Sequence, residues 1–261
     1  MGKDQTILFH STIFGPIHSR RLGVSLGVNL MPSDGKVCSF DCIYCEAGYN
    51  AQGAGKAGLP PREKVKEDLE RKLSEMHSNG EPLDVITFSG NGEPKQHPEL
   101  AGVIYDTIAL RDRFYPEAKV SVLTNSTRIF DSSVAEALKK VDNNILKLDS
   151  AIDPTMRLID APASKEFTVE KVVEALKQFK GTGVIQTMLL RGEHNGKAVD
   201  NTTPEEIAAL IEAYKEIAPR EVMLYSLDRS TPEERLKKVD KEELDRIADL
   251  VREAGINVIS Y

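Results

Sequence analysis

The sequence predicts an α/β fold: a parallel sheet arranged as a curved open sheet or a partial barrel. Short, apolar, β-branched runs recur along the chain, and helix-length amphipathic segments separate them. This alternation makes parallel strands joined by right-handed crossovers. Six such strand and helix pairs fit within 261 residues, which suits an open or partial barrel better than a closed one of eight strands.

Taken in order, the first strand candidate is "GVNLM" at 27–31. A Cys- and Gly-rich stretch without periodicity follows it. "PREKVKEDLERKLSEM" then places Val65, Leu69, Leu73 and Met76 on one helical stripe. "DVITFSG" (84–90), "KVSVLTN" (119–125), "NILKLDS" (144–150), "VIQTMLL" (184–190) and "EVMLYSL" (221–227) are the remaining strands. They are near-continuous apolar runs, as expected for parallel strands covered on both faces. The helices between them are "HPELAGVIYDTIALRDRF", "SSVAEALKK", "TVEKVVEALKQFK" and "TPEEIAALIEAYKEI". In the last, Thr203 and Glu206 have capping-box spacing. "DKEELDRIADLVREAG" and a short strand "INVISY" end the chain. One core domain is expected over 1–261, with 1–26 an N-terminal extension leading into the first strand and 240–261 the closing helix and strand. The active site of such a fold belongs at the C-terminal ends of the strands.

A hydrophobic fraction of 40% with 29% charged residues is an ordinary soluble composition. No run approaches the roughly 18 apolar residues of a membrane span, and "MGKDQTILFHST" lacks the apolar core of a signal peptide. A cytoplasmic, reducing location with no membrane partner is expected. The net charge of −7 disfavours a nucleic-acid substrate. A local basic cleft drawn from Arg20, Arg21, Arg111, Arg113, Arg191, Arg220 and Arg229 stays open. "GYNAQGAGKAGLPP" (48–61) has the composition of a phosphate-binding loop without its residue order, and reads as a mobile loop.

All three cysteines, Cys38, Cys42 and Cys45, fall in "CSFDCIYCEAG". Three thiols leave a remainder as disulfides and are one short of a closed structural zinc site, and no histidine lies at the usual spacing. Clustered soft thiolates select zinc, copper(I) or iron–sulfur groups. An iron–sulfur cube on three thiolates leaves one iron open to a non-protein ligand.

The spacing C-x3-C-x2-C, with Tyr44 before the third cysteine, resembles the signature of the radical S-adenosylmethionine (SAM) enzymes. That resemblance implies a (β/α)6 partial TIM barrel and a [4Fe-4S] cluster on Cys38, Cys42 and Cys45. It also implies SAM at the open iron and reductive cleavage of SAM to a 5′-deoxyadenosyl radical that abstracts hydrogen from a substrate. Gly90-Asn91-Gly92-Glu93-Pro94 ends the second strand where the family binds the SAM amino group, one residue longer than its commonest turn. Asn125 and Ser126 fall where the family binds SAM, with Tyr44 placed against adenine. Lys147, Asp149 and Gln186, at the ends of later strands, are further cofactor-pocket candidates; Lys147 and Asp149 could equally be a structural ion pair. Thr187, Ser226, Asp228 and Arg229 are looser candidates for ribose or substrate.

"GPIHSRRLGVSLGVNLMP" (15–32) and "YSLDRSTPEERLKKV" (225–239) are similar to segments of the wybutosine-synthesis-like radical SAM group. Arg20, Arg21, Arg191 and Tyr225 are the substrate-binding candidates. No further cysteine exists in these 261 residues, so a minimal core without an auxiliary cluster is implied. A small reductant protein of flavodoxin or ferredoxin type is the implied partner. The alternatives are a tRNA-modifying enzyme, an activase that makes a radical on a partner protein, and a non-catalytic thiolate metal-binding protein.

Overall fold

The computed structural model describes residues 7–19 and 21–261. Strands β1 (Ile13–Ser19) and β2 (Gly23–Val28) form an antiparallel hairpin at one edge. Helix α1 (Arg62–Ser78) leads to β3 (Val85–Phe88), α2 (Leu100–Phe114) to β4 (Lys119–Thr124), and α3 (Ser132–Leu138) to β5 (Asn143–Lys147). Helices α4 (Asp153–Asp160) and α5 (Val169–Leu176) precede β6 (Val184–Met188). The chain then makes a hairpin of β7 (Leu190–His194) and β8 (Lys197–Asp200), and α6 (Pro204–Ile217) returns it as β9 (Glu221–Tyr225). A short β10 (Lys237–Lys238), α7 (Lys241–Glu253) and β11 (Val258–Ser260) complete it. The main sheet runs β1-β2-β3-β4-β5-β6-β9-β11, parallel from β2 onward, and β10-β7-β8 form a small antiparallel sheet. The sheet is open at β1 and β11, as in a partial (β/α)6 barrel.

The two faces of this sheet differ. Alternate residues Leu26, Val28, Ile86, Phe88, Val120 and Val122 are buried in the large core with Val65, Leu69, Leu73 and Met76 of α1. Their neighbours point the other way and include Ser25, Thr87, Ser121, Asn143, Lys147 and Gln186, with a small apolar group of Ile145, Val184 and Met223. The expectation of strands apolar on both faces is therefore corrected. One face carries the helices, and the opposite face is polar enough to receive a ligand.

Three further differences have local causes. The first strand ends at Val28 rather than running to 31, because the buried Asn29 amide accepts from Met31 N–H and donates to Met31 O, turning the chain off the sheet. The β1–β2 hairpin lies where Pro16 and an arginine pair obscure any strand pattern; proline is tolerated there because β1 is an edge. The run at 184–190 breaks after Met188, since Leu189 N–H bonds Tyr225 O and Leu190 enters the small sheet. In the capping box, Thr203 accepts from Glu206 N–H, while the Glu206 carboxylate instead takes the Ser150 hydroxyl at 2.7 Å.

Candidate active site

The three thiols lie on the loop that follows β2. Its backbone is held by α4: Asp41 N–H bonds Asp160 O and Ala161 O, and Ile43 N–H bonds Ile159 O. Cys42 is buried, while Cys38 and Cys45 are partly exposed. Cys42 Sγ lies 3.5 Å from Asp160 Oδ1, and Cys38 Sγ lies 3.6 Å from Asn125 Nδ2. Burial pushes the Cys38 thiol up to about 11 and holds the Cys42 thiol well above the ordinary thiol range. As thiolates both would need a positive partner. Lys36, 4% exposed, lies within electrostatic reach of all three. Burial opposes its charge, yet the Cys45, Cys38 and Cys42 sulfurs and Asp41 hold its pKa above the usual lysine value.

The turn at 90–94 is stitched to this loop. Val37 N–H donates to Asn91 O and Glu93 N–H to Val37 O, each at 3.0 Å, as a parallel bridge between Val37 and Gly92. Gly92 has φ +137°, and a Cβ there would lie 1.9 Å from Val37 O. Its glycine therefore makes room for the protein's own backbone. Asn91, the extra residue of the turn, is fully buried, and its side chain donates to Phe9 O and Pro32 O. Glu93 is 2% exposed; its Oε1 accepts from the Thr124 hydroxyl and Lys95 N–H, and its Oε2 from Asn125 N–H at 2.7 Å. Pro94 starts the 3-10 turn that follows. Asn125 Nδ2 also reaches Ser39 Oγ at 2.9 Å. Ser126 sits in the left-handed region at φ +67°, with its hydroxyl on Lys147 O.

Beside the cysteine loop, the Tyr44 hydroxyl is bonded to both Lys147 Nζ and Asp149 Oδ2. Lys147 is 3.0 Å from Asp149 and 3.8 Å from Asp160, and its ammonium also stands 4.6 Å over the Tyr44 ring. Asp149 Oδ1 accepts from Met188 N–H. Burial and the Asp149 charge push the Asp160 carboxyl well above the ordinary range. Arg21 stacks on the Tyr225 ring at 4.6 Å, and its buried Nη1 has no hydrogen-bond partner among the described residues. Gln186 is the register partner of Lys147 and shares its face.

The other candidates are placed elsewhere. Thr187 faces the helices, bonded to Leu148 O and the Tyr214 hydroxyl. Arg191 is engaged by Glu243 at 2.5 Å and Asp200 at 3.3 Å. Ser226 bonds Leu189 O, Asp228 lies 3.5 Å from Lys238, and Arg229 bonds Glu46. Arg20 lies outside the described residues. Of the other cleft candidates, Arg111 and Arg220 bond Asp142 and Asn143 at the opposite ends of the strands, and Arg113 bonds Glu70.

Sequence reasoning missed Lys36, Asp160, Asn91 and Lys95. The α4 helix that carries Asp160 is eight residues long, too short to stand out by periodicity. The other three are ordinary polar residues whose burial is a tertiary fact.

A family model described as the radical SAM superfamily matches residues 33–200, which takes in the cysteine loop, the 90–94 turn and the Lys147–Asp149 strand end. The chain belongs to the radical SAM superfamily. It is 30% identical to UPF0026 protein MJ1312 of Methanocaldococcus jannaschii, over 92% of its own length and 71% of that protein's. It is 31% identical, over 94% of its length, to a Brachyspira hyodysenteriae protein named GTPase Obg, of which it spans only 34%. Among solved structures, a radical SAM methyltransferase from Sphaerobacter thermophilus superposes with a TM-score of 0.65 at 14% identity, covering 91% of this chain and 65% of that one. TYW1 with a lysine-pyruvate adduct bound superposes at 0.59 and 18%, covering 88% and 73%. At those identities the likeness is one of fold.

The donor set of this radical SAM protein, three soft sulfurs on one loop, is chemically compatible with an iron–sulfur group. Among the described residues no three His, Cys, Asp or Glu side chains close on one ion's position. The thiols are instead spread over a loop, with two of the three part-exposed. No described helix is long and apolar enough to cross a membrane.

Proposed function

We propose that the protein is a single-cluster radical SAM enzyme whose Cys38, Cys42 and Cys45 thiolates hold a [4Fe-4S] group with SAM at its open iron. When bound, the cluster supplies the electron that splits SAM into methionine and a 5′-deoxyadenosyl radical able to take hydrogen from a substrate. The observation that carries this reading is the stitching of the 90–94 turn to the cysteine loop, which brings Glu93 and Asn125 beside Cys38.

The chain's own groups position and select. A carboxylate has about four lone-pair sites. Glu93 uses three, leaving one on Oε2 for the methionine ammonium in a charge-assisted bond. Gly90 and Pro94 shape that turn. Asn125, Ser126 and Gln186 complete the pocket wall, and Tyr44, fixed by Lys147 and Asp149, presents its backbone to adenine. The partnerless Nη1 of Arg21 above Tyr225 suits an anionic substrate group, because guanidinium recognises carboxylate and phosphate oxygens. A small reductant protein of flavodoxin or ferredoxin type would deliver the electron through the exposed side of the loop.

The test is anaerobic reconstitution with iron and sulfide, then SAM and dithionite, reading 5′-deoxyadenosine against Cys42→Ala. Release by the wild type alone supports the reading. A loaded wild-type cluster that leaves SAM intact moves the thiolate metal-binding protein to first place.

A tRNA substrate is the second reading, favoured by the segments at 15–32 and 225–239 and opposed by the −7 charge. It predicts faster 5′-deoxyadenosine release on adding bulk tRNA; no change counts against it.

A further inference from the structure

Lys36 stands two residues before Cys38, and its side chain is 2% exposed. Its backbone N–H donates to Gly53 O at 3.1 Å and its Nζ to Gly48 O at 2.7 Å. The residue thus ties the start of the cysteine loop to its end, with all three cysteines between the two anchor points. Among the described residues its carboxylate neighbour is Asp41, 3.6 Å away and 35% exposed, whose Oδ1 also accepts from Asn50 N–H at 2.7 Å.

A buried ammonium costs several kcal/mol unless it is paired. A neutral donor at position 36 would close the loop equally well, so the charge needs its own explanation. Besides Asp41, the groups within electrostatic reach that could carry matching negative charge are the three sulfurs, once they are thiolates on iron.

We propose that Lys36 is a built-in counter-charge and positioning residue for the cluster: it closes the cysteine loop and raises the reduction potential of the iron–sulfur group. The inference rests on the reading that the three thiolates hold such a group. Reduction adds one electron from the external reductant and makes the thiolate-bound cluster one charge more negative. A fixed cation close by favours that reduced state. Lys36 itself neither gains nor loses a proton in the step.

The experiment compares wild type, Lys36→Met, Lys36→Arg and Asp41→Asn after anaerobic reconstitution, with no SAM or substrate present. Iron and sulfide content report loading, and a redox titration followed by electron paramagnetic resonance reports the potential. At the wild-type midpoint, the ratio of reduced to oxidised cluster in Lys36→Met should fall roughly tenfold, which is about 59 mV for a one-electron couple. Lys36→Arg should stay within about twofold, since it keeps the charge. Asp41→Asn should move the ratio the opposite way, because it removes a negative charge beside the loop.

A fully loaded Lys36→Met with the wild-type midpoint overturns the inference while leaving the cluster reading intact. Should Lys36→Met fail to fold or load, Lys36→Gln, which keeps a neutral donor for Gly48 O, decides: a loaded cluster with the lowered midpoint upholds the counter-charge, and a loaded cluster with the wild-type midpoint overturns it. A wild type that takes up no iron and sulfide defeats the cluster reading, and this inference with it.

Discussion

The backbone N–H of Asn125 donates to Oε2 of Glu93 at 2.7 Å, across 32 residues of sequence. That bond joins the end of β4 to the turn after β3, and the Asn125 side chain continues on to Ser39 in the cysteine loop. Three strand-end segments are thereby linked. Glu93 is the residue on which two of them depend.

Glu93→Ala leaves the Thr124 hydroxyl and the Asn125 N–H buried without an acceptor. Each such loss costs about 1–3 kcal/mol, so a destabilisation of roughly 3 kcal/mol is expected by urea denaturation. Glu93→Gln keeps an oxygen acceptor and should cost under about 1.5 kcal/mol, yet weaken SAM binding to the reconstituted protein at least about tenfold by equilibrium dialysis. Equal SAM affinity in Glu93→Gln and wild type would remove Glu93 from the ammonium site.

Gly92→Ala places a methyl group 1.9 Å from Val37 O at φ +137°. Strain of this kind costs about 1–3 kcal/mol before the clash is counted. The bridge between Val37 and Gly92 should open, lowering the urea midpoint and the iron taken up on reconstitution. Gly53→Ala is the control: φ there is also positive, at +95°, but a Cβ meets nothing within 4 Å. A wild-type iron content in Gly92→Ala would show that the bridge does not support the cysteine loop.

Lys95 is fully buried and its Nζ has no hydrogen-bond partner among the described residues. Burial drives its pKa from 10.5 down to about 7, with Glu93 opposing the shift and Arg128 adding to it. The unfolded chain therefore binds more protons than the folded one between pH 7 and 10.5, and stability should rise with pH across that window. Below pH 7 the penalty is constant and of the order of a few kcal/mol. Lys95→Met should flatten this slope and raise stability at pH 7 by about 2 kcal/mol or more. Parallel urea midpoints for the two chains at pH 7, 8 and 9 would disprove it.

Asn144 on β5 is 4% exposed, and neither end of its amide has a partner. Its side chain shares the helix-facing side of the strand with Leu146, which lies in the large core. Replacing an unsatisfied buried amide with an apolar group of similar shape removes the desolvation penalty. Asn144→Leu should be more stable than wild type by about 1–2 kcal/mol in thermal or urea melts. A loss of stability would mean that the amide has a function in this core.

Cys38, Cys42 and Cys45 are neighbours in sequence, and strand-end loops of parallel sheets fall on one side of the sheet. By itself the sequence therefore determined the parallel α/β architecture, the cysteine loop and the superfamily signature. These rest on local spacing and on periodicities that survive whatever the chain packs against. Only the tertiary structure decided which residues meet the thiols. Lys36 is a loop lysine until Gly48 and Gly53 fold over it, and Asp160 reaches Cys42 across 118 residues from a helix too short to register. The same holds for the separation of Arg191, bound to Glu243, from Arg21, stacked on Tyr225. Arg191 lies in β7, where strand register sets its face, whereas Arg21 is placed by the turn between β1 and β2.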